Sequence, residues 1–144
     1  MTVAAIAAVL GGPKTLKRKV DSDSELTLLT REGLPVKSLT LLADEFSVER
    51  KTVARVVGIS DRTLSRRIAK DERLSAEESD RTVRMARVLA SATETFGSKE
   101  KAARWLQTPN RVLDGQTPLS LLDTDAGVRS VETVIGRIEW GLYS

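Results

Sequence analysis

Cationic side chains are concentrated between Arg50 and Arg73, where eight Lys or Arg residues face three Asp or Glu residues. A local excess of this kind suits a polyanion, because neutralising phosphates releases condensed counterions. Arginine can also bind the guanine edge in the major groove through two parallel hydrogen bonds. The stretch therefore predicts a DNA-binding surface, and an ordinary helical hairpin with a solvated basic face is the alternative. The candidate contact residues are Lys51, Thr52, Arg55, Asp61, Arg62, Ser65 and Arg66.

Residues that commonly carry catalysis are scarce in the chain. It has no Cys and no His, which removes disulfides, thiol nucleophiles, imidazole bases and zinc-finger ligand sets. Three carboxylates, those of Asp114, Asp123 and Asp125, cluster in a region rich in Gly and Pro. Turn and helix-cap roles explain them without any catalytic role. We therefore expect no enzyme activity, no metal site and no cofactor.

Two short helices joined at Gly58 are predicted to position the basic residues. Gly58 can adopt the left-handed conformation that ends the first helix, and Ser60 can cap the second. Helical spacing turns Arg62 and Arg66 outward. This is the pattern of a helix-turn-helix, whose second helix enters the major groove. The apolar residues predicted to hold it together are Val53, Ala54, Val57, Ile59, Leu64 and Ile68.

Helical periodicity extends over the rest of the chain, and no stretch alternates in the manner of a strand, so the fold class is predicted to be all-α. We expect an N-terminal helical and basic segment over 1–33, a helix-turn-helix domain over 34–75, and a long connecting helix with a small helical domain over 76–144. Residues 1–73 carry fourteen basic and ten acidic side chains, and residues 74–144 carry nine and ten. This asymmetry suggests different partners for the two halves.

The long connecting helix is predicted to begin at a capping box formed by Ser75 and Glu78 and to end near residue 96. It carries Arg81, Arg84 and Arg87 about one turn apart. We expect these arginines to line a solvated flank, with a phosphate or partner contact as the alternative.

The N-terminal segment is predicted to contain a helix over 2–10 that stops at Gly11-Gly12-Pro13. Residues 15–24 include Lys17-Arg18-Lys19 and form either a solvated linker or a basic arm that touches the DNA backbone. No apolar run approaches the roughly 20 residues of a membrane span, and no basic residue precedes the Ala-rich start as in a signal peptide. The lack of Cys is compatible with a reducing, cytoplasmic location.

The last predicted helix separates an apolar stripe from Gly136 and Trp140, which lie one turn apart and off that stripe. Trp is a favoured anchor of interfaces. Trp140 therefore either contacts a partner or fills a second contact within its own domain or a homodimer. The stripe consists of Val128, Val131, Ile135, Ile138 and Leu142.

The last third of the chain contains a long, ordered set of residues that together form a specific motif. They are Phe96-Gly97, Ala102, Trp105-Leu106, Pro109-Asn110, Leu113, Gly115, Pro118-Leu119, Leu122, Gly127, Val131, Ile138-Glu139 and Gly141. This set strongly resembles the toxin-binding domain of Xre-family antitoxins, the partners of RES-domain toxins. The helix-turn-helix in front of it fits the same family.

The resemblance implies a protein with two functions, an antitoxin that binds its cognate RES-domain toxin and represses their shared operon on double-stranded operator DNA. RES toxins resemble ADP-ribosyltransferase-type enzymes that consume NAD, so inhibition implies covering an NAD pocket. Carried over residue by residue, the candidate toxin-binding residues are Arg104, Asn110, Trp140, Gly141, Leu142, Tyr143 and Ser144.

The expected oligomeric state follows from the DNA-binding prediction. One helix-turn-helix reads only a half-site, so we expect a homodimer or a higher oligomer. The main alternative function is a stand-alone dimeric repressor whose C-terminal helices only dimerise.

Overall fold

In a computed structural model that describes residues 2–141, the chain forms nine α-helices and two short 3-10 turns. No strand occurs among these residues, and two isolated bridges join residues 35 with 73 and 110 with 116. The all-α prediction is confirmed. The helices are α1 (Val3–Val9), α2 (Gly12–Leu16), α3 (Asp23–Glu32), α4 (Val36–Phe46), α5 (Arg50–Val57), α6 (Asp61–Lys70), α7 (Ala76–Phe96), α8 (Lys99–Leu106) and α9 (Asp125–Glu139). The 3-10 turns are Arg111–Leu113 and Leu119–Leu121.

Helix α7 is the central element of the molecule. Its predicted capping box is present, since the Ser75 hydroxyl accepts from the Glu78 N–H and the Glu78 carboxylate accepts from the Ser75 N–H. Gly97 ends the helix with φ of 87°. Helices α1, α3, α4 and α5 pack against α7 on the N-terminal side of the chain, and α8 and α9 pack against it from the C-terminal side. The buried apolar residues form a single cluster that extends through both halves.

Two hydrogen bonds between side chains and backbone seat the start of the helix-turn-helix region on its neighbours. The buried Ser79 hydroxyl of α7 accepts from the Leu34 N–H at 2.8 Å, and the buried Ser38 hydroxyl of α4 donates to the Leu10 carbonyl at 2.8 Å. Both serines are fully buried. Each serine hydroxyl pairs with a backbone group that lies outside the helices. The two hydrogen bonds therefore fix α4 against α7 and against the end of α1.

The N-terminal segment differs from its prediction. Helix α1 does end before Gly11, but Gly12 and Pro13 begin α2, where proline is tolerated because the first-turn N–H needs no helical partner. Residues 15–24 are not a solvated linker, because Leu16 and Val20 are buried with 2% and 4% exposure, and the contact of the cations in this segment with the DNA backbone stays a prediction. The residues around Leu16 and Val20 in the sequence are polar, so the sequence pattern did not indicate that these two side chains are buried.

The basic triplet of this segment is also constrained. Arg18 forms an ion pair with Glu32 at the end of α3, and Lys19 Nζ lies 3.6 Å from an Asp21 carboxylate oxygen. Two of the three cations therefore have partners inside the chain.

Candidate functional sites

The α5–α6 pair has the geometry expected of a helix-turn-helix. Gly58 adopts φ of 94°, and the N–H groups of Gly58 and Ile59 both donate to the Ala54 carbonyl, at 2.8 and 2.7 Å. The Ser60 hydroxyl accepts from the Thr63 N–H at 3.2 Å and so caps α6. Val53, Ala54, Val57, Ile59 and Leu64 are buried, and Ile68 is half-buried against them. The predicted turn, cap and apolar set are confirmed.

The outer face of α6 presents the predicted contact residues to solvent. Asp61, Arg62, Ser65 and Arg66 are all exposed. Among residues 2–141, no carboxylate lies within 4 Å of the guanidinium of Arg62 or Arg66. The ion pairs in that range are all formed by other residues. Both arginines therefore remain available for a ligand.

The predicted residues of α5 stand beside that face. Lys51 and Arg55 are exposed, and Thr52 is half-buried. The Lys51 Nζ lies 3.4 Å from the Glu49 carboxylate, a contact that solvent screens strongly. A cleft of about 460 Å³ between the start of α5 and α6 brings together the side chains of Arg50, Lys51, Asp61 and Ser65. Sequence reasoning did not include Arg50, although its place directly after the Glu49 cap marks the first turn of α5.

Helix α6 is fixed to α7 from behind. Arg67 forms an ion pair with Glu78, and both side chains are less than one fifth exposed. Burial by itself raises the pKa of Glu78, but the hydrogen bonds from Arg67 and from the Ser75 N–H and hydroxyl outweigh it and leave the pKa below 4.5. Arg81 Nη1 donates to the Val57 carbonyl at 3.1 Å, which ties the turn itself to α7.

The α7 arginines correct the sequence analysis, which had placed Arg81, Arg84 and Arg87 on a solvated flank or against a partner. Arg84 is 18% exposed and lies 3.4 Å from a carboxylate oxygen of Asp125 at the start of α9. Arg87 donates two hydrogen bonds to Glu132 of α9, at 3.0 and 3.3 Å. Like Arg81, these residues hold α7 against its neighbours within the chain.

The C-terminal region is built around a hairpin-like turn between α8 and α9. The Asn110 N–H donates to the Gln116 carbonyl at 3.0 Å, and the Asn110 Oδ1 accepts from the Val112 N–H at 2.9 Å. Gly127 sits where a Cβ would lie 1.8 Å from the Leu121 carbonyl oxygen, so only glycine allows α9 to approach the second 3-10 turn. Thr124 caps α9 by accepting from the Gly127 N–H at 2.9 Å.

The predicted toxin-binding residues do not share one environment. Arg104 is exposed on α8, whereas the half-buried Asn110 uses its side-chain oxygen within the turn just described. Trp140 ends α9 and is 80% exposed, and the exposed Gly141 follows with φ of 71°. The predictions for Leu142, Tyr143 and Ser144 lie outside the described residues. Within the predicted stripe of α9, Val128, Val131 and Ile135 are buried and Ile138 is half-buried.

A groove along α9 was not identified from the sequence. It measures about 430 Å³ and runs between the turn and α9, with Val112, Thr133 and Arg137 in its lining. Val112 is 41% exposed despite its apolar side chain. Arg129, Thr133 and Arg137 are four residues apart and share one face of α9, which is the signal that could have revealed the groove.

Two classes of site are absent between residues 2 and 141. No helix there combines the length and the apolar character that crossing a membrane requires. No group of three or more side chains in that range is arranged to hold a metal ion.

Comparison with protein families matches both halves of the chain. Residues 25–87 match the antitoxin Xre-like helix-turn-helix domain, and residues 91–141 match the antitoxin Xre/MbcA/ParS C-terminal toxin-binding domain. An Antitoxin Xre of Photorhabdus laumondii is 38% identical over 124 residues, which are 85% of this chain and 84% of the relative. An Antitoxin Xre of Pseudomonas putida is 41% identical over 123 residues, which are 83% of this chain and 74% of the relative.

A more distant relative is the Prs ADP-ribosylating antitoxin of a Sphingobium species, 24% identical over 123 residues, which are 79% of this chain and 77% of that protein. The curated relatives are antitoxins rather than enzymes. The α5–α6 pair lies inside the helix-turn-helix match, and the groove and Trp140 lie inside the toxin-binding match. The chain therefore belongs to the Xre family of antitoxins, with a helix-turn-helix domain followed by a C-terminal toxin-binding domain.

Proposed function

We propose that the chain inhibits a cognate RES-type, NAD-consuming toxin by covering its active site. The observation that carries this proposal is the exposed Trp140, because it ends the last helix of a toxin-binding domain and leaves a large apolar side chain in solvent. The motif set between residues 96 and 141 supports a RES-type partner, since it resembles antitoxins of that kind. The name of the Sphingobium relative also points to ADP-ribosyl chemistry, which uses NAD.

The toxin would dock on Trp140 and on the groove between the turn and α9. Arg137 lies one turn before Trp140 on α9 and lines that groove with Val112. An exposed aromatic side chain and a partly apolar groove with a cationic rim, both on α9, have the composition of a protein–protein hot spot. We assign the covering of the toxin's NAD pocket to residues 141–144, which follow Trp140 in the sequence.

The test is to reconstitute the complex and measure NAD consumption beside a binding isotherm. Replacing Trp140 with Ala should weaken toxin binding by about 2 kcal/mol, the scale of an interface hot spot. Deleting residues 141–144 should instead release NAD consumption more than it lowers affinity, because the docking surface stays intact. Full inhibition by the truncated chain would show that the terminal segment does not cover the pocket.

We also propose that the chain represses its own operon through the α5–α6 pair, as a homodimer or larger assembly. The exposed and unpaired Arg62 and Arg66 support this, because they stand one turn apart on the second helix of the pair. A gel-shift titration should show tighter binding to the promoter in front of its own gene than to a scrambled duplex. Light scattering of the free chain should give at least a dimer mass at micromolar concentration.

Copurification from the native operon separates this function from that of a stand-alone repressor. A second polypeptide that elutes with the chain and consumes NAD when released supports the antitoxin. A chain that binds the promoter but elutes alone from cells that express the whole operon would favour the repressor.

A further inference from the structure

A cationic cleft lies where α2 and the start of α4 meet the residues that follow α6. It measures about 650 Å³, and Lys14, Lys17, Lys37 and Arg73 contribute four positive charges to its lining against one carboxylate, that of Asp71. All five side chains belong to exposed residues. None of the three lysines has a carboxylate within 4 Å among residues 2–141. We call this surface the lysine cleft.

Close packing and a buried side chain fix the position of the lysine cleft. Gly11 adopts φ of 110°, and a Cβ there would lie 2.5 Å from Thr15 and 2.8 Å from Leu41. This close turn brings α2 onto α4, and the buried Leu16 then fixes the short helix in the core. Lys14 and Lys17 flank that anchor, so their positions are set by packing.

The lysine cleft is continuous with the C-terminal end of α6. Asp71 ends α6, and Arg73 two residues later is bridged to Pro35 at the start of α4. The Leu74 N–H donates to the Leu34 carbonyl at 2.8 Å, which keeps this connection against α4. At 1.5 Å per residue, the end of α6 lies roughly 14 Å from Arg62 along the helix axis.

We propose that the lysine cleft binds the phosphate backbone of the same DNA duplex that α6 engages. The inference rests on the proposed DNA binding of α6. In homeodomains, one class of helix-turn-helix protein, the C-terminal end of the recognition helix contacts the phosphate backbone. Duplex DNA carries one phosphate per about 1.7 Å of axis, so a duplex that α6 engages offers closely spaced phosphates to a cationic surface at the end of that helix. The net charge of the lining, three positive, is complementary to them.

The proposal adds contacts that lie partly outside the matched helix-turn-helix domain. Lys14 and Lys17 precede residue 25, where that match begins. Phosphate contacts position a duplex without reading its sequence, so the lysine cleft strengthens binding to any duplex and leaves base preference to α6. It gives the N-terminal segment a function in addition to packing.

The salt dependence of DNA binding tests the proposal in the full-length chain. Two duplexes of equal length are used, the promoter in front of the chain's own gene and a random sequence. The slope of log K against log salt is negative. The variant Lys14→Gln/Lys17→Gln/Lys37→Gln should make it shallower by about 2 to 3, because each lost phosphate contact removes about 0.9 from its magnitude. The loss should be equal for the two duplexes, so the preference for the promoter is retained.

The matched control is Lys19→Gln/Lys99→Gln/Lys101→Gln, which removes the same net charge from exposed positions outside the cleft. The slope of this control should stay within about 1 of that of the unmodified chain. The variant Lys14→Arg/Lys17→Arg/Lys37→Arg keeps the positive charges of the cleft and should therefore have the same slope as the unmodified chain. Circular dichroism confirms that each variant is folded. If the slope became shallower by the same amount in the cleft variant and in the control, the proposal would be overturned.

Two other outcomes separate this inference from the function on which it rests. If the unmodified chain binds neither duplex, the proposed DNA binding fails and the lysine cleft fails with it. If the unmodified chain prefers its promoter and the cleft variant keeps the whole slope but loses affinity for the toxin, the cleft binds an acidic surface of the toxin, and only this inference is wrong.

Discussion

Helices α6 and α7 both carry arginines about one turn apart, and the two sets have opposite surroundings. Arg62 and Arg66 of α6 are exposed and meet no carboxylate in residues 2–141. Arg84 and Arg87 of α7 are only 18% and 35% exposed and meet carboxylates of α9. Residue type and helical spacing are alike, so the packing partner alone decides which arginines are available for a ligand.

The physical reason lies in where the two helices stand. Helix α6 packs on one side against α4 and α5 and is joined to α7 by the Arg67–Glu78 ion pair, and its opposite side faces solvent. Helix α7 is covered from both halves of the chain, so its polar positions fall at the edges of helix contacts. A long cationic side chain at such an edge can pack its stem on apolar surface and pair its head with a carboxylate from the next helix.

The largest effect we expect is on DNA binding by the α6 arginines. Replacing Arg62 or Arg66 with Ala should weaken promoter binding by about 1–3 kcal/mol each and relax base preference. Loss of Lys51 or Arg55 should weaken all duplexes alike, because these side chains are assigned to phosphate. Gel-shift titrations on promoter and random duplexes measure both effects.

The control for the α6 arginines is Arg111→Ala/Arg137→Ala, which removes two positive charges from exposed positions outside the helix pair. It should leave promoter preference unchanged. Urea denaturation should find the free energy of unfolding of the Arg62 and Arg66 variants within about 0.5 kcal/mol of the unmodified chain, since neither side chain packs inside. Normal promoter binding by the Arg62→Ala/Arg66→Ala variant would show that α6 does not enter the groove.

A smaller effect is expected on stability from the α7 arginines. Arg87 and Glu132 are each about one third exposed, so a double-mutant cycle with Arg87→Met and Glu132→Gln should give a coupling energy of about 0.5–1 kcal/mol. The same cycle between Arg66 and Glu132 should give a coupling near zero. Equal coupling in both cycles would mean that the Arg87–Glu132 contact adds nothing specific, and the contrast between α6 and α7 would fail.

The sequence predicted the local parts of this comparison. Gly58, Ser60 and the Ser75 capping box depend on residues within four positions of one another, and all behave as their types require. Whether Arg84 and Arg87 are paired depends on carboxylates that lie 41 and 45 residues away in the sequence. No short-range pattern contains that information, because the approach of α9 to α7 is set by packing of the whole core.

The same reasoning explains the other differences from prediction. Leu16 and Val20 are separated by three cations, and two apolar residues do not by themselves define a helical stripe, so their burial could be found only from the packing of the fold. The sequence placed Trp140 off the apolar stripe of α9 and left open whether it packs within its own domain, and the structure leaves it 80% exposed. The groove along α9 was missed, because its lining joins Val112 of the turn after α8 to residues of α9, which begins only at Asp125.

The smallest effect we expect concerns pH and the contact that holds α6 on α7. The pKa of Glu78 is lowered in the folded chain, so its carboxylate contributes stability at pH values above its ordinary pKa, and that stability is lost as pH falls through the lowered value. Glu78→Gln should therefore cost about 1 kcal/mol at pH 7, and this difference should shrink as the pH falls below about 4.5. Urea denaturation of both chains at pH 7 and pH 3 measures it. Glu77→Gln, an exposed carboxylate in the same first turn, controls for removal of a charge at the helix terminus. If the cost of Glu78→Gln is the same at both pH values, the Arg67–Glu78 contact does not stabilise the ionised carboxylate, and α6 is held by apolar packing alone.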